Sequence, residues 1–330
     1  MKIKKILLSA AAACTALTSL CACGENSGLR LGTGNPGGIY YAYGSMLSEL
    51  DGTVIDVKKT EGSRANMRLM NEGFLDLAIV QSDVLAEAAG GTGDFEGSPV
   101  NGVRAVAGLY YEAFQVIVRA DSDIYAVSDL RGRTISVGEE GSGVSGNAEY
   151  LLTSAGIPAN SVSMVKMSYA ESALALEDGS IDAFFVILGT PSTVVTELSE
   201  STDIRFLPLN EHTISAMTNI YGGYYSMTIP AGTYHGQDED IPTVGVKAVL
   251  TADSRISSSE IHDITELLFN KSGSIKYTVT VAEPELDFAV SGIPCAFHDG
   301  AAKYYESVGV TVETDPTAGV SRLTFGSTGD

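Results

Sequence analysis

Two glycine-bearing turns carry the residues best suited to holding a ligand in this 330-residue chain. Leu29-Arg30-Leu31-Gly32-Thr33-Gly34-Asn35-Pro36-Gly37-Gly38-Ile39-Tyr40-Tyr41 reads as a short apolar strand, a loop with four glycines and the start of a helix. Backbone without side chains at a helix start lets N–H groups close on an anion, and the helix dipole adds to the attraction. The pattern returns at Thr134-Ile135-Ser136-Val137, then Gly138 to Gly143, then a helix through Tyr150, with Ser142 and Gly143 at the helix start. Three further polar residues sit where ligands are held in α/β proteins. Ser63 opens the helix carrying Met67 and Met70, where capping alone would account for it, and Asn66 lies one turn inside. Gln81 leaves the apolar run Leu77 to Val80 at the carboxyl edge of a buried strand, whereas Ser82 and Asp83 are equally suited to capping the helix from Val84 to Ala89.

Catalytic chemistry finds less support. The histidines, His212, His235, His262 and His298, lack metal-ligand spacing, so neither a metal nor a cofactor is expected. No Walker sequence, dinucleotide register or Gly-x-Ser-x-Gly elbow occurs. The rival enzymatic reading rests on Cys295, better explained as buried packing, and on His298 beside Asp299, which reads as the start of a capped helix.

The elements that position these residues are duplicated. Met67 to Val80 lines up with Ala173 to Val186: a helix, a glycine suited to the left-handed cap, an Asp three residues on, and an apolar strand. Two α/β lobes facing each other across a cleft follow from this. Their expected bounds are 29–116 plus 230–330 for the first and 117–229 for the second. Strands Val103–Leu109 and Phe114–Arg119 flank Tyr110-Tyr111-Glu112, the second crossing between lobes, and Tyr224–Ile229 carries the chain back. Apolar Ala183–Leu188 ends in Gly189-Thr190-Pro191, with Pro191 suited to a first helical turn.

The formal charge is −21, a surface that repels phosphate backbones, so nucleic acid is not an expected partner. Residues 1–22 combine Lys2, Lys4 and Lys5 with an apolar stretch too short to span a membrane, as in a signal peptide. The following Leu20-Cys21-Ala22-Cys23 resembles the lipobox of bacterial lipoproteins, which implies cleavage before Cys23, lipidation of its thiol and a tether over residues 23–28. Without the leader's three lysines, 17 basic residues face 41 acidic ones, a charge of −24.

GTGNPGGIYYAYG, TEGSRANMRLMNEGFLDLAIVQSD, DLRGRTISVGEEGSGV, LEDGSIDAFFVILGTPS and HDGAAKYYE together resemble the TAXI class (TRAP-associated extracytoplasmic immunogenic proteins). These are solute-binding subunits of tripartite ATP-independent periplasmic transporters. The resemblance implies a two-lobed type II periplasmic-binding-protein fold hinged by crossing strands. It implies a lipid-anchored extracytoplasmic monomer that delivers a small organic anion, such as glutamate, a related amino acid or a dicarboxylate, to TRAP permease subunits. Ligand positions carried over are Thr33, Gly34, Gly38, Tyr40, Ser63, Asn66, Gln81, Ser142, Gly143, Gly189 and Pro191, with Tyr40 or Tyr111 walling the pocket. The departures are Asn35-Pro36 and Ile187-Leu188, either of which alters the solute that fits. A sensor ectodomain for a membrane kinase is the alternative role.

Overall fold

In the computed structural model, residues 28–36, 38–50, 54–270 and 285–316 are described. The leader, Cys23 and the tether expected at 23–28 lie outside them, Gly28 excepted.

Each half begins with the same unit. In the first, β1 (Leu29–Gly32), α1 (Ile39–Glu49), β2 (Ile55–Lys58), α2 (Ser63–Asn71) and β3 (Leu77–Gln81) give parallel strands in the order β2-β1-β3. α3 (Ser82–Gly90) then leads to β4 (Val103–Arg119). The second half repeats the unit as β5 (Thr134–Ser136), α4 (Val144–Ser154), β6 (Ser163–Val165), α5 (Tyr169–Glu177) and β7 (Ala183–Leu188), ordered β6-β5-β7. β3 and β7 are buried along their whole length, as continuous apolar runs in covered parallel sheets should be.

The repeated Asp does the same work twice. Asp76 accepts from Arg30 N and Asp182 from Thr134 N, each at 2.8 Å. In return the Asp76 and Asp182 amides donate to the Arg30 and Thr134 carbonyls at 2.9 and 2.8 Å. The pair of bonds ties the turn after each helix to the start of the neighbouring strand, with Gly73 and Gly179 at φ 77° and 78° making the turn possible.

Two long strands join the halves. β4 runs unbroken through Tyr110-Tyr111-Glu112, where the sequence suggested two strands, because β10 (Ile241–Asp253) pairs with it antiparallel along residues 103–113. The return path also differs from expectation. β9 (Tyr224–Ile229) pairs with the first part of β10 and stays in the second half, so β10 makes the crossing. Phe114, Val116, Val244 and Val246 belong to the second core, while Val106, Leu109, Ala248 and Leu250 belong to the first. The lobes therefore divide near 113 and 247, not at the expected 116 and 230.

Alternation along the strands places the cores. Phe185 and Ile187 of β7 face one side of the second sheet, and Phe184 and Val186 the other. Completing the fold are α6 (Thr193–Ser201), β8 (Ile204–Phe206) and α7 (Glu211–Ile220) in the second half, and α8 (Ser258–Asn270), α9 (Leu286–Val290) and α10 (Asp299–Ser307) on the first. Tyr305 of α10 donates to the Val106 carbonyl at 2.9 Å, fixing the late helix to β4. Among the described residues, no helix is long and apolar enough to cross a membrane.

Candidate functional site

A cavity of about 390 Å³ lies between the halves, with Gly34, Gly38, Tyr40, Ser63 and Gln81 on one side and Ser142, Gly143, Tyr169, Leu188 and Ser192 on the other. Helix ends dominate its wall. α1, α2, α3, α4 and α6 start at Gly38, Gly62, Gln81, Gly143 and Ser192, none of which makes a side-chain cap bond. All five of these residues line the cavity. α5, whose Ser168 cap accepts from Glu171 N, also starts on the cavity, whereas α7 and α10, capped by Asn210 and His298, start elsewhere. Helix starts leave N–H groups without intrahelical partners; the Gly141 carbonyl takes Ala65 N of α2, and donors that no protein group takes are open to a ligand or water. Gly62 holds φ 109° to admit this geometry.

The halves are closed on each other. Ala65 N donates to the Gly141 carbonyl at 3.2 Å, and Ser82 Oγ to the Gly223 carbonyl at 2.7 Å. Asn35 Nδ2 donates to Glu139 Oε2 across the cleft. On the side away from the cavity, Tyr150 donates to Glu87 Oε1 at 2.6 Å, and Arg64 pairs with Glu87 at 3.3 Å. Burial pushes the Glu87 carboxyl up to about 7, against the pull of Arg64.

Charge inside the cavity runs against a simple anion site. Glu61, Glu112 and Glu139 line it, and none of its described lining residues is lysine, arginine or histidine. Glu112 is buried, accepts from the Tyr40 hydroxyl at 2.9 Å, and is pushed up to about 8 by desolvation despite hydrogen bonds from Tyr40 and Gln81. Ser63 Oγ accepts from the Gln81 backbone N–H at 3.0 Å, so that hydroxyl helps position β3's exit.

Several expected positions stand elsewhere. Asn66 is fully buried: its Nδ2 donates to the carbonyls of Thr33 and Ile79 at 2.8 and 2.9 Å, and its Oδ1 accepts from Thr60 at 2.7 Å. Thr33 donates to the Lys58 carbonyl at 2.8 Å. Both side chains are committed to holding the first loop and lie behind the cavity wall. Tyr111 faces outward, edge-on to Tyr225 and Phe288, above Lys247. Strand alternation explains it, since Tyr111 and Glu112 point to opposite faces of β4. Gly189 packs at the seam, where an added β-carbon would lie 3.2 Å from Ile39 Cδ1. Pro191 precedes the Ser192 cap, so it stands outside the first turn of α6.

Sequence reading missed Glu112, Glu139, Tyr169 and Ser192. Asn35 and Ile187-Leu188, noted there as departures, do line the cavity. Glu139 occupies the place in the second loop that Asn35 has in the first, a signal the duplication itself contained. Cys295 and His298 lie outside the cavity lining. Burial pushes the Cys295 thiol up to about 12, and His298 Nδ1 accepts from Gly300 N at 3.1 Å as the cap of α10. His262, Asp263 and Glu266 of α8 bring ligand atoms within 4.8 Å of one another, but Asp263 and Glu266 are exposed and the group is remote from the cavity lining.

Residues 31–309 match the NMT1-like family. The chain belongs to that family. This NMT1-like protein also shares distant likeness with solved structures. The periplasmic aliphatic sulphonate binding protein SsuA from Escherichia coli is 14% identical, covering 75% of this chain and 71% of that one, with a TM-score of 0.45. A binding protein component of an ABC phosphonate transporter from Pseudomonas aeruginosa is 13% identical, covering 74% of each chain, at 0.48. A mutant of ArgBP from T. maritima is 10% identical, covering 76% and 91%, at 0.47. At such distances the architecture of the NMT1-like chain rests on its own strand order and cores.

Proposed function

We propose that this protein is an extracytoplasmic solute-binding receptor of a transporter, which closes its two lobes on a small molecule bearing an anionic group. The observation that carries the reading is the convergence of five helix starts without side-chain caps, three from one half and two from the other, on one cavity. Each such end attracts negative charge by up to ~1–2 kcal/mol where partly buried, so a carboxylate in the cavity draws on several at once. Hydroxyls of Ser63, Ser142 and Ser192 and the Tyr40 side chain supply further polar lining, while Ile39, Val144, Leu188 and Val194 make an apolar wall. Ligand touching both halves would hold the closed state against hinge motion in β4 and β10.

The finer assignment follows the TAXI resemblance. In it the receptor delivers its solute to TRAP permease subunits, is anchored by a lipid on Cys23 after loss of residues 1–22, and works as a monomer. Calorimetry and thermal unfolding across amino acids, carboxylates, sulfonates and phosphonates at millimolar concentration test the receptor reading. Saturable binding of at least one class with a raised Tm is expected; no stabilisation by any class would overturn it. Solute uptake into vesicles carrying a TRAP permease, dependent on added receptor, tests the transporter class.

A further inference from the structure

Asp83 and Glu87 stand one turn apart on α3, so the helical period puts two acids on one face of it. That face meets the second lobe. Tyr150 of α4 donates to Glu87 Oε1 at 2.6 Å, and the Tyr224 hydroxyl of β9 reaches both Asp83 Oδ2, at 3.2 Å, and Asn147 Oδ1. The charged and titratable groups facing Glu87 are Asp83, Tyr150, Arg64 of α2 and Asp94 in the turn after α3. Arg64 pairs with both Glu87 and Asp94, and the exposed Arg68 reaches Asp94 at 3.4 Å. The Arg64 guanidinium fits at the seam because residue 146 is glycine: an added β-carbon would lie 2.0 Å from its Nη2. Glu87 and Arg64 are each 6% exposed. Three neighbouring acids thus lean on one buried cation, and a buried carboxylate without full compensation holds a proton instead.

We propose that closing the lobes takes up a proton on Glu87, so that the seam between α3 and α4 is a latch that mild acid fastens and alkali loosens. When the cleft opens, α4 withdraws Tyr150 and leaves Glu87 to water beside Arg64, where its carboxyl ionises in the ordinary range. Closure strips that water away, and burial pushes the carboxyl up to about 7, the Asp83 charge adding to the push. The protonated form keeps the bond across the seam with the roles exchanged: Glu87 Oε1–H donates to the Tyr150 oxygen, and Oε2 stays toward Arg64. Since the closed state holds the proton more tightly, the gain from closure is full below about 4.5 and is lost as pH rises to about 7. The latch needs only two lobes and a hinge, so it goes beyond the receptor reading and is tested without a solute.

The test is small-angle X-ray scattering of the ligand-free protein from pH 5 to pH 8.5, with carbon-13 NMR following the carboxyl titrations. In the parent the radius of gyration is expected to grow with pH, as the ratio of closed to open protein falls about tenfold or more between pH 5.5 and pH 7.5. Glu87→Gln, which keeps the shape and a donor but cannot ionise, is expected to stay compact over the whole range. Asp83→Asn removes the neighbouring charge. It is expected to move both the opening and the titration of the Glu87 resonance to lower pH, by about half a unit or more, which loss of a merely structural contact would not do. The Glu87 resonance is the one that Glu87→Gln abolishes, and circular dichroism confirms that each variant folds. A parent radius constant with pH, Glu87→Gln swelling as the parent does, or a Glu87 carboxyl titrating in the ordinary range each overturns the latch and leaves the receptor reading standing.

Discussion

The Gln81 side-chain oxygen rests on the α-carbon of Gly143, so closely that a β-carbon added to Gly143 would lie 1.8 Å from it. The two residues come from opposite lobes, and this contact sets how near α3 and α4 can approach. Gly143→Ala forces Gln81 to move and breaks its bond to Glu112, an overpacking cost of ~1–3 kcal/mol borne by the closed state. The expected result is a larger radius of gyration in X-ray scattering and affinity about tenfold or more weaker, with the melting temperature of the ligand-free protein little changed.

Glu112 makes stability fall with pH. Its carboxyl titrates near 4.5 unfolded and near 8 folded. Below the lower value both states hold the proton and nothing is lost; as pH rises between the two, the unfolded chain releases its proton first and gains stability relative to the fold. Glu112→Gln does not titrate. Urea denaturation of the ligand-free proteins is expected to show the variant gaining over the parent as pH goes from 5 to 8, by on the order of 3 kcal/mol at the top. Parallel curves for the two proteins would show that burial does not act on Glu112 as argued.

Asn66 tests the difference between a wall and a contact. Asn66→Ala takes the side-chain donor from the carbonyls of Thr33 and Ile79 in a site closed to water, while the Thr60 hydroxyl is left donating only to the Thr33 carbonyl. The loss is expected to be about 2–4 kcal/mol in urea midpoint measurements, with solute affinity retained at temperatures where the variant is folded. Weakened binding at an unchanged midpoint would make Asn66 a ligand residue after all.

Tyr150 holds the lobes together without touching the cavity. Its hydroxyl donates to Glu87, which Arg64 reaches from the other side. Tyr150→Phe removes a hydrogen bond to a buried acid and favours the open state by ~1.5–3 kcal/mol. Scattering should report a more extended ligand-free protein, and calorimetry a weaker affinity with the same pH trend as the parent. Unchanged scattering and affinity would show that this contact does not control closure.

What the sequence determined is local. Glycine turns at Gly34 and Gly143, the helix-glycine-Asp pattern at Asp76 and Asp182, and the apolar runs ending at Gln81 and Leu188 depend on backbone conformation and period within a few residues. Each was legible because turn chemistry and strand burial act over that range. From two copies of one pattern, two α/β lobes followed. What the tertiary structure alone decided depends on pairings between distant strands. β10 inserts antiparallel between β3 and β4, keeps β4 continuous through Tyr110-Tyr111-Glu112, and thereby turns Tyr111 out to the Lys247 face and Glu112 in to the cavity. The same packing spends the Asn66 amide on the Thr33 and Ile79 carbonyls. No short stretch encodes which polar atoms will be left without a partner, because that is settled only when segments a hundred or more residues apart exclude water together.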